Sequence, residues 1–485
     1  MEVRNKRLDE EKFQKERQEV LATWPTGREV DIDEAIEFHK TLIPHRNYAL
    51  KVAEAKKKSN QLIRIDSGVA TIEGEIELFR CLQDEGGADL LGSIVDSFTR
   101  VLEYERAEEG LKESQRLGRT ALNGFPMVVH GVKNTRKVIE AVNLPVQLRS
   151  PAVDTRLVME IALASGHTSV AGGAGVGTFI SFSKDALPEI DIHNGQYAYR
   201  LMGHYQEKGI PIAAEPGWGF PHTTPYSLGF TQGMINIIAA AEQGVRHIIF
   251  GIYGQTGNLA QDVAALCAVP NLGNEYLNKL GYHDVQTSVM TSCYGGIFPE
   301  DTSESYAVIC LSALTGMLAR TQIIHVKTIW EGKTIPSMEA SAASLRAGKK
   351  VINMMKDQSV QLDNKAVEIE TRMIEMETRA IMDRVLEVGD GDVIKGLIKG
   401  LEIGLIDPPF ATTKYAQGKV MAARDNEGAM RYLDHGNLPF SKEILDFHKE
   451  KLAEREKAQG RKIDYQNVVD DLLAISKGAL VTRCG

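Results

Sequence analysis

"TQGMINIIAAAEQGVRHIIFGIYG", residues 231–254, joins two kinds of pattern at one glycine. The first part is a long, nearly all-apolar run of helical length that stops at Gln243–Gly244. The second, "HIIFGIYG", is a short β-branched apolar run closed by a second glycine. A buried helix handing over to a buried strand is the repeating element of a parallel sheet. The same handover recurs on both sides. Short apolar runs stand at 62–70 ("LIRIDSGVA"), 125–131 ("FPMVVHG"), 145–150, 178–183 ("TFISFS"), 210–217, 247–254, 285–292 and 322–328 ("QIIHVKT"). Helical patterns such as "DTRLVMEIALAS" and "ESYAVICLSALTGMLA" separate them. Eight such strands close a (β/α)₈ barrel, so the expected class is α/β, a TIM barrel. On this reading residues 71–124 form a long insertion that lines the barrel mouth.

The flanks differ from the centre. Residues 1–60 are charged and helical in pattern, broken at "WPTGREVD", and read as an N-terminal arm. The barrel is placed at 61–345. Residues 346–485 read as a C-terminal α+β extension, with long helices carrying i,i+4 charge pairs and a turn-rich but apolar stretch at 407–440. The chain has 485 residues, 43% of them apolar and 25% charged, with a formal net charge of -9. That balance excludes an electrostatic nucleic-acid footprint. No apolar run has the length of a membrane span, and the polar start is not a secretory signal. Five widely spaced cysteines without a CxxC pair fit free thiols in the cytoplasm and no zinc ribbon.

"SVAGGAGVGTFISFSK" (169–184) resembles a phosphate loop but has G-x-G-x-G spacing and lacks the strand-then-helix setting of a dinucleotide fingerprint. It reads instead as a backbone stripped of side chains to make space, either leading into the fourth strand or trailing from a strand that begins near Ser169. Barrel enzymes work at the C-terminal ends of their strands. Those ends carry Arg64, Asp66, Arg149, Glu215, Tyr253 and Lys327, and Arg100 in the insertion leans over the same mouth. Two guanidinium forks, Arg100 and Arg149, fit an organic acid. Lys327 offers a second chemistry, a Schiff-base lyase with Glu215 as proton shuttle; the plain alternative is an ion pair with Glu331 one turn on. "DIHNGQ" (191–196) and "LDHGNL" (433–438) both miss the D-x-H-x-x-G spacing of a cobalamin lower ligand, and no metal site is expected.

Longer stretches carry a family resemblance: "LQDEGGADLLGS", "GRTALNGFPMVVHGVK", "EAVNLPVQLR", "AAEQGVRHIIFGIYGQTGNLAQDVAAL", "NEYLNKLGYHDV" and "ARDNEGAMRYLDHGNLPF". With "QEVLATWPTGREVD" near the start, they resemble the large (epsilon) subunit of glutamate mutase, also called methylaspartate mutase, nearly end to end. The resemblance implies a barrel that pairs with itself as a homodimer. It also implies adenosylcobalamin held between the barrel mouth and a small partner subunit that carries D-x-H-x-x-G. The implied reaction begins with a deoxyadenosyl radical taking hydrogen from glutamate, which rearranges to 3-methylaspartate.

The resemblance implies site residues too. Arg100 and Arg149 match two of the family's three substrate arginines. The third falls on Asp66, because the family's "PRAGVA" reads "IDSGVA" here; Arg64 either compensates by pointing inward or pairs with Asp66. Ala171 replaces the amine-binding glutamate, and neither substrate tyrosine is kept, with Gly177 or Thr178 and Ser181 or Phe182 near their places. On the cofactor side Lys327, Glu331 and Ile335 match positions around the adenosyl group, while Gly217 replaces an aromatic. The expected substrate is therefore glutamate or a related amino or hydroxy acid, with one carboxylate on Arg100 and Arg149 and an amine or hydroxyl facing Asp66. A divergent, non-catalytic relative that keeps only partner or cobalamin binding is the competing expectation.

Overall fold

The computed structural model describes residues 3–42, 44–150, 152–172, 184–216, 223–252, 254–360, 362 and 364–482. Eight parallel strands close a barrel in chain order: β1 Leu62–Ser67, β2 Leu90–Ile94, β3 Val146–Arg149, β4 Ser169–Ala171, β5 Ala213–Glu215, β6 His247–Ile252, β7 Gln286–Ser292 and β8 Ile323–Val326. β1 closes the ring against β8, with Arg64 opposite His325.

Two of the eight strands lie elsewhere than the sequence reading placed them. The second is "LLGSI" at 90–94, and Met127–Glu140, which includes most of the expected strand, is a helix. Only an isolated bridge between Val95 and Phe125 remains of strand pairing there. The β-branched Val128 and Val129 mislead because such residues fit a buried helix as well as a strand, and the helix is kinked at Gly131 (φ +72°) before the buried Val132, Val138 and Ile139. The 71–124 insertion thus contains β2. Arg100 belongs to the short helix Ser97–Arg100 just beyond that strand, where Asp96 caps the first amides. The fourth strand is Ser169–Ala171, the second of the two alternatives, with Gly172 just past its C-terminal end. "TFISFS" lies outside the described residues.

Inside and outside follow strand parity. Ile63 of β1 and Val326 of β8 face the surrounding helix Met338–Met355, where a side chain at Gly348 would meet both. Arg64 and Asp66, of the opposite parity, face the barrel axis. The N-terminal arm is helical, with Glu10–Leu21, Ile32–Thr41 and Tyr48–Lys57 each begun by an Asp or Asn cap. The last of these lies beneath the barrel. Its Tyr48 is fully buried, receives a hydrogen bond from Arg64 at 2.8 Å and stoppers the N-terminal end.

Beyond the barrel, the helix Lys365–Val388 lies along Leu259–Lys279, joined by Arg379–Glu275 (2.9 Å) and by Lys279–Asp383 (3.0 Å). The turn-rich stretch contains an antiparallel hairpin, β9 Val420–Arg424 and β10 Met430–His435. Gln261 clasps it, accepting from the amide of Met430 (2.8 Å) and donating to its carbonyl (3.2 Å).

Candidate active site

The strand ends fill the upper barrel with paired charges. Arg64 is wholly buried; its two terminal nitrogens donate to the Glu215 carboxylate at 2.7 and 3.2 Å, from β1 across to β5. Gln147 on β3 donates to the same carboxylate (3.0 Å) and to Ser169 on β4 (2.8 Å). One step higher, Asp66 is ringed by donors. Arg64 Nε stands 3.1 Å from its Oδ1, while His325 Nε2 (3.2 Å) and Arg149 Nε (3.6 Å) face Oδ2. Burial would raise the carboxyl's pKa, but Arg64, His325 and Arg149 outweigh it and hold Asp66 well below the usual carboxylate range. The His325 pKa is lowered too, which favours its neutral form: burial lowers it and Asp66 only partly offsets this. Its Nδ1 shares a 2.7 Å hydrogen bond with Ser292 on β7. With Asp66 ionised, the ring proton sits on Nε2 and the serine hydroxyl donates to Nδ1.

Two glycines make this arrangement possible. Gly92 on β2 pairs in register with Asp66, and a Cβ there would lie 2.1 Å from the Asp66 carboxylate oxygen. Gly172, just past β4 with φ +61°, would place a Cβ 2.8 Å from a terminal nitrogen of Arg149. At its first glycine, then, the glycine-rich stretch leaves room for a guanidinium.

Above the charges opens a cavity of about 500 Å³. Asp66, Arg100, Arg149, His325, Lys327, Glu331 and Ile335 are on its wall, so the structure brings six of the expected site residues to one place. Ala171 ends β4 beside them, in register with both Arg149 and Glu215. Phe182, Gly217 and Tyr253 lie outside the described residues. Lys327 is committed to Glu331 at 2.6 Å, the local ion pair. Arg100 Nε donates to the carbonyl of Val95 (2.7 Å), and burial and the like charge of Arg149 lower its pKa. His325, Ser292 and Gly92 were missed by sequence reading. A histidine inside the apolar run "QIIHVKT", of the same parity as Lys327, was the one available signal.

The family described as "Methylaspartate mutase E chain (MutE)" matches residues 42–484. The chain belongs to that family. By its family it is a mutase, hence an isomerase. It is 43% identical to the glutamate mutase epsilon subunit of Desulfitobacterium hafniense (strain Y51), over 100% of this chain and 99% of that one. To the epsilon subunit of Treponema denticola it is also 43% identical, with the same coverage. That of Haloarcula marismortui is 39% identical over 99% of this chain and 97% of its own. The epsilon designation of these family members belongs to a protein that works with another subunit. No helix among the described residues is long and apolar enough to cross a membrane.

Proposed function

We propose that the chain is the catalytic large subunit of a cytoplasmic, adenosylcobalamin-dependent carbon-skeleton mutase acting on glutamate or a related amino or hydroxy acid. The full-length family match carries this reading. The cavity fits the cofactor's adenosyl group: its volume lies in the roughly 300–1,000 Å³ range of small-molecule sites. Its wall sets the Lys327–Glu331 pair beside the apolar surface of Trp330 and Ile335. Neither "DIHNGQ" (191–196) nor "LDHGNL" (433–438) has the D-x-H-x-x-G spacing, so the cobalt's lower ligand is assigned to a small partner subunit that carries it, and the large subunit is taken to pair with itself as a homodimer.

When bound, the cofactor supplies the hydrogen-abstracting radical. The chain's own residues bind and orient. Lys327, Glu331 and Ile335 hold the nucleoside side, while Arg100 and Arg149 receive the substrate's carboxylate. The Arg64–Glu215 pair and Tyr48 seal the space below against water.

The test is reconstitution with a small D-x-H-x-x-G subunit and adenosylcobalamin, watching cobalamin absorbance as amino and hydroxy acids are added. Substrate-dependent cleavage of the Co–C bond is expected for at least one acid. Cobalamin binding with no cleavage by any acid would leave a non-catalytic relative instead, and no cobalamin binding would refute the reading.

A further inference from the structure

Three cations at the barrel mouth can be followed to a counter-ion; two others on the cavity wall, Arg100 and Lys333, cannot among the described residues, and Lys333 donates instead to the carbonyl of Pro299 (2.5 Å). Arg64 is bonded through both terminal nitrogens to Glu215. Lys327 is matched by Glu331. Arg149 faces Asp66, with Nε 3.6 Å from its Oδ2. Arg100 has no carboxylate within ion-pair distance among the described residues: Asp96, at the start of its own short helix, turns its Oδ1 onto the amides of Phe98 and Thr99. A half-buried guanidinium beside a second one calls for one anion.

Asp66 is a prepared feature and not a stray charge. The side-chain-free backbone of Gly92 admits its carboxylate, and Arg64, His325 and Arg149 surround it. It stands on the cavity wall with Arg100 and Arg149. In effect the protein has brought its own carboxylate to the cationic cluster.

We infer that the substrate is a monocarboxylic acid: its one carboxylate sits on Arg100 and Arg149, and its far end, where a dicarboxylic acid would carry the second, is uncharged and meets Asp66. This rests on the reading of the cavity as the substrate site. A second carboxylate about 4 Å from Asp66, at an effective dielectric near 20, would lose roughly a thousand-fold in affinity. Arg149 beside it reduces that, and a discrimination of about thirty-fold or more is expected.

Isothermal titration calorimetry on the full chain, alone and with the small subunit and cobalamin, tests this with glutamate, glutamine and 2-aminopentanoate, which share a backbone and differ at the far end. The neutral-ended acids should bind about thirty-fold or more tighter than glutamate. In Asp66→Asn the ratio should fall to within about three-fold, through a gain in glutamate affinity. In Arg100→Gln all three should weaken together. Equal or tighter binding of glutamate by the unaltered chain would overturn the inference. So would an unchanged ratio in Asp66→Asn, or no binding of any of the three acids in either form. Cobalamin absorbance keeps the two readings apart. Failure to bind cobalamin with the charge preference intact sinks only the mutase proposal, whereas Co–C cleavage driven best by glutamate sinks only this one.

Discussion

Replacing Arg64 with methionine removes the cation that two buried carboxylates share. Glu215 lies 2.7 Å from one terminal nitrogen and Asp66 3.1 Å from Nε. Each attraction amounts to about 4 kcal/mol at an effective dielectric near 20 and a charge separation near 4 Å. The desolvation already suffered by all three groups is of similar size, so the attractions do not appear in full. What remains in the variant is a pair of carboxylates in a closed interior, and breaking a buried pair from one side costs about 3–5 kcal/mol. Removing the Glu215 charge as well should give part of this back. In Arg64→Met/Glu215→Gln the coupling, against the two single variants, should be about 2–3 kcal/mol in the relieving direction. The loss in Arg64→Met should also shrink between pH 7 and pH 5. A stranded carboxylate has a raised pKa in the folded state, so its destabilisation fades as protons are taken up. Urea unfolding of the four proteins, followed by circular dichroism and compared at equal m, measures all of this. An Arg64→Met cost below about 0.5 kcal/mol, the level of a surface change, would refute the argument. So would a double variant as damaged as the sum of the singles.

Burial pushes Glu75 up to about 8, against hydrogen bonds from the Val69 amide (2.8 Å) and Ser93 hydroxyl (3.0 Å). The native state therefore keeps a proton that the unfolded chain releases above about 4.5, and stability falls with rising pH across that window by about 1.4 kcal/mol per unit. Glu75→Gln, which keeps the shape without the acid, should flatten that slope and be more stable than the unaltered chain by roughly 2–4 kcal/mol at pH 8. Parallel urea midpoints at pH 5.5 and 8 would show that Glu75 is not the source. Gly92→Ala places a methyl 2.1 Å from the Asp66 carboxylate and should cost about 1–3 kcal/mol as that side chain is displaced. An unshifted thermal midpoint would mean the carboxylate has another place to rest.

The barrel was legible because its buried strands and helices write long apolar runs, and "HIIFGIYG" needs no partner to be read. β2 was not. "LLGSI" is five residues with a glycine in the middle, and the reason for that glycine, the neighbouring aspartate, lies on another strand. "FPMVVHG" drew the assignment away because β-branched residues fit a buried helix as well as a strand. Position at a strand end was enough to place Arg149, Asp66 and Lys327 on the cavity wall, and Arg100, read from the insertion, joins them there. Whether Arg64 compensates or pairs depended on geometry; it points inward and does pair with Asp66, while also binding Glu215. His325 was hidden by its apolar neighbours, since one polar residue in such a run usually signals a satisfied core group.

Tyr48, fixed under the cylinder and bonded to Arg64, turns the barrel into a vessel with a floor. A small acid that reaches Arg100 must arrive from above and leave the same way. Whatever covers the rim during turnover has to come down after the acid is inside and lift before the product can go. The sequence of arrivals and departures is set by this plug, which the N-terminal arm supplies.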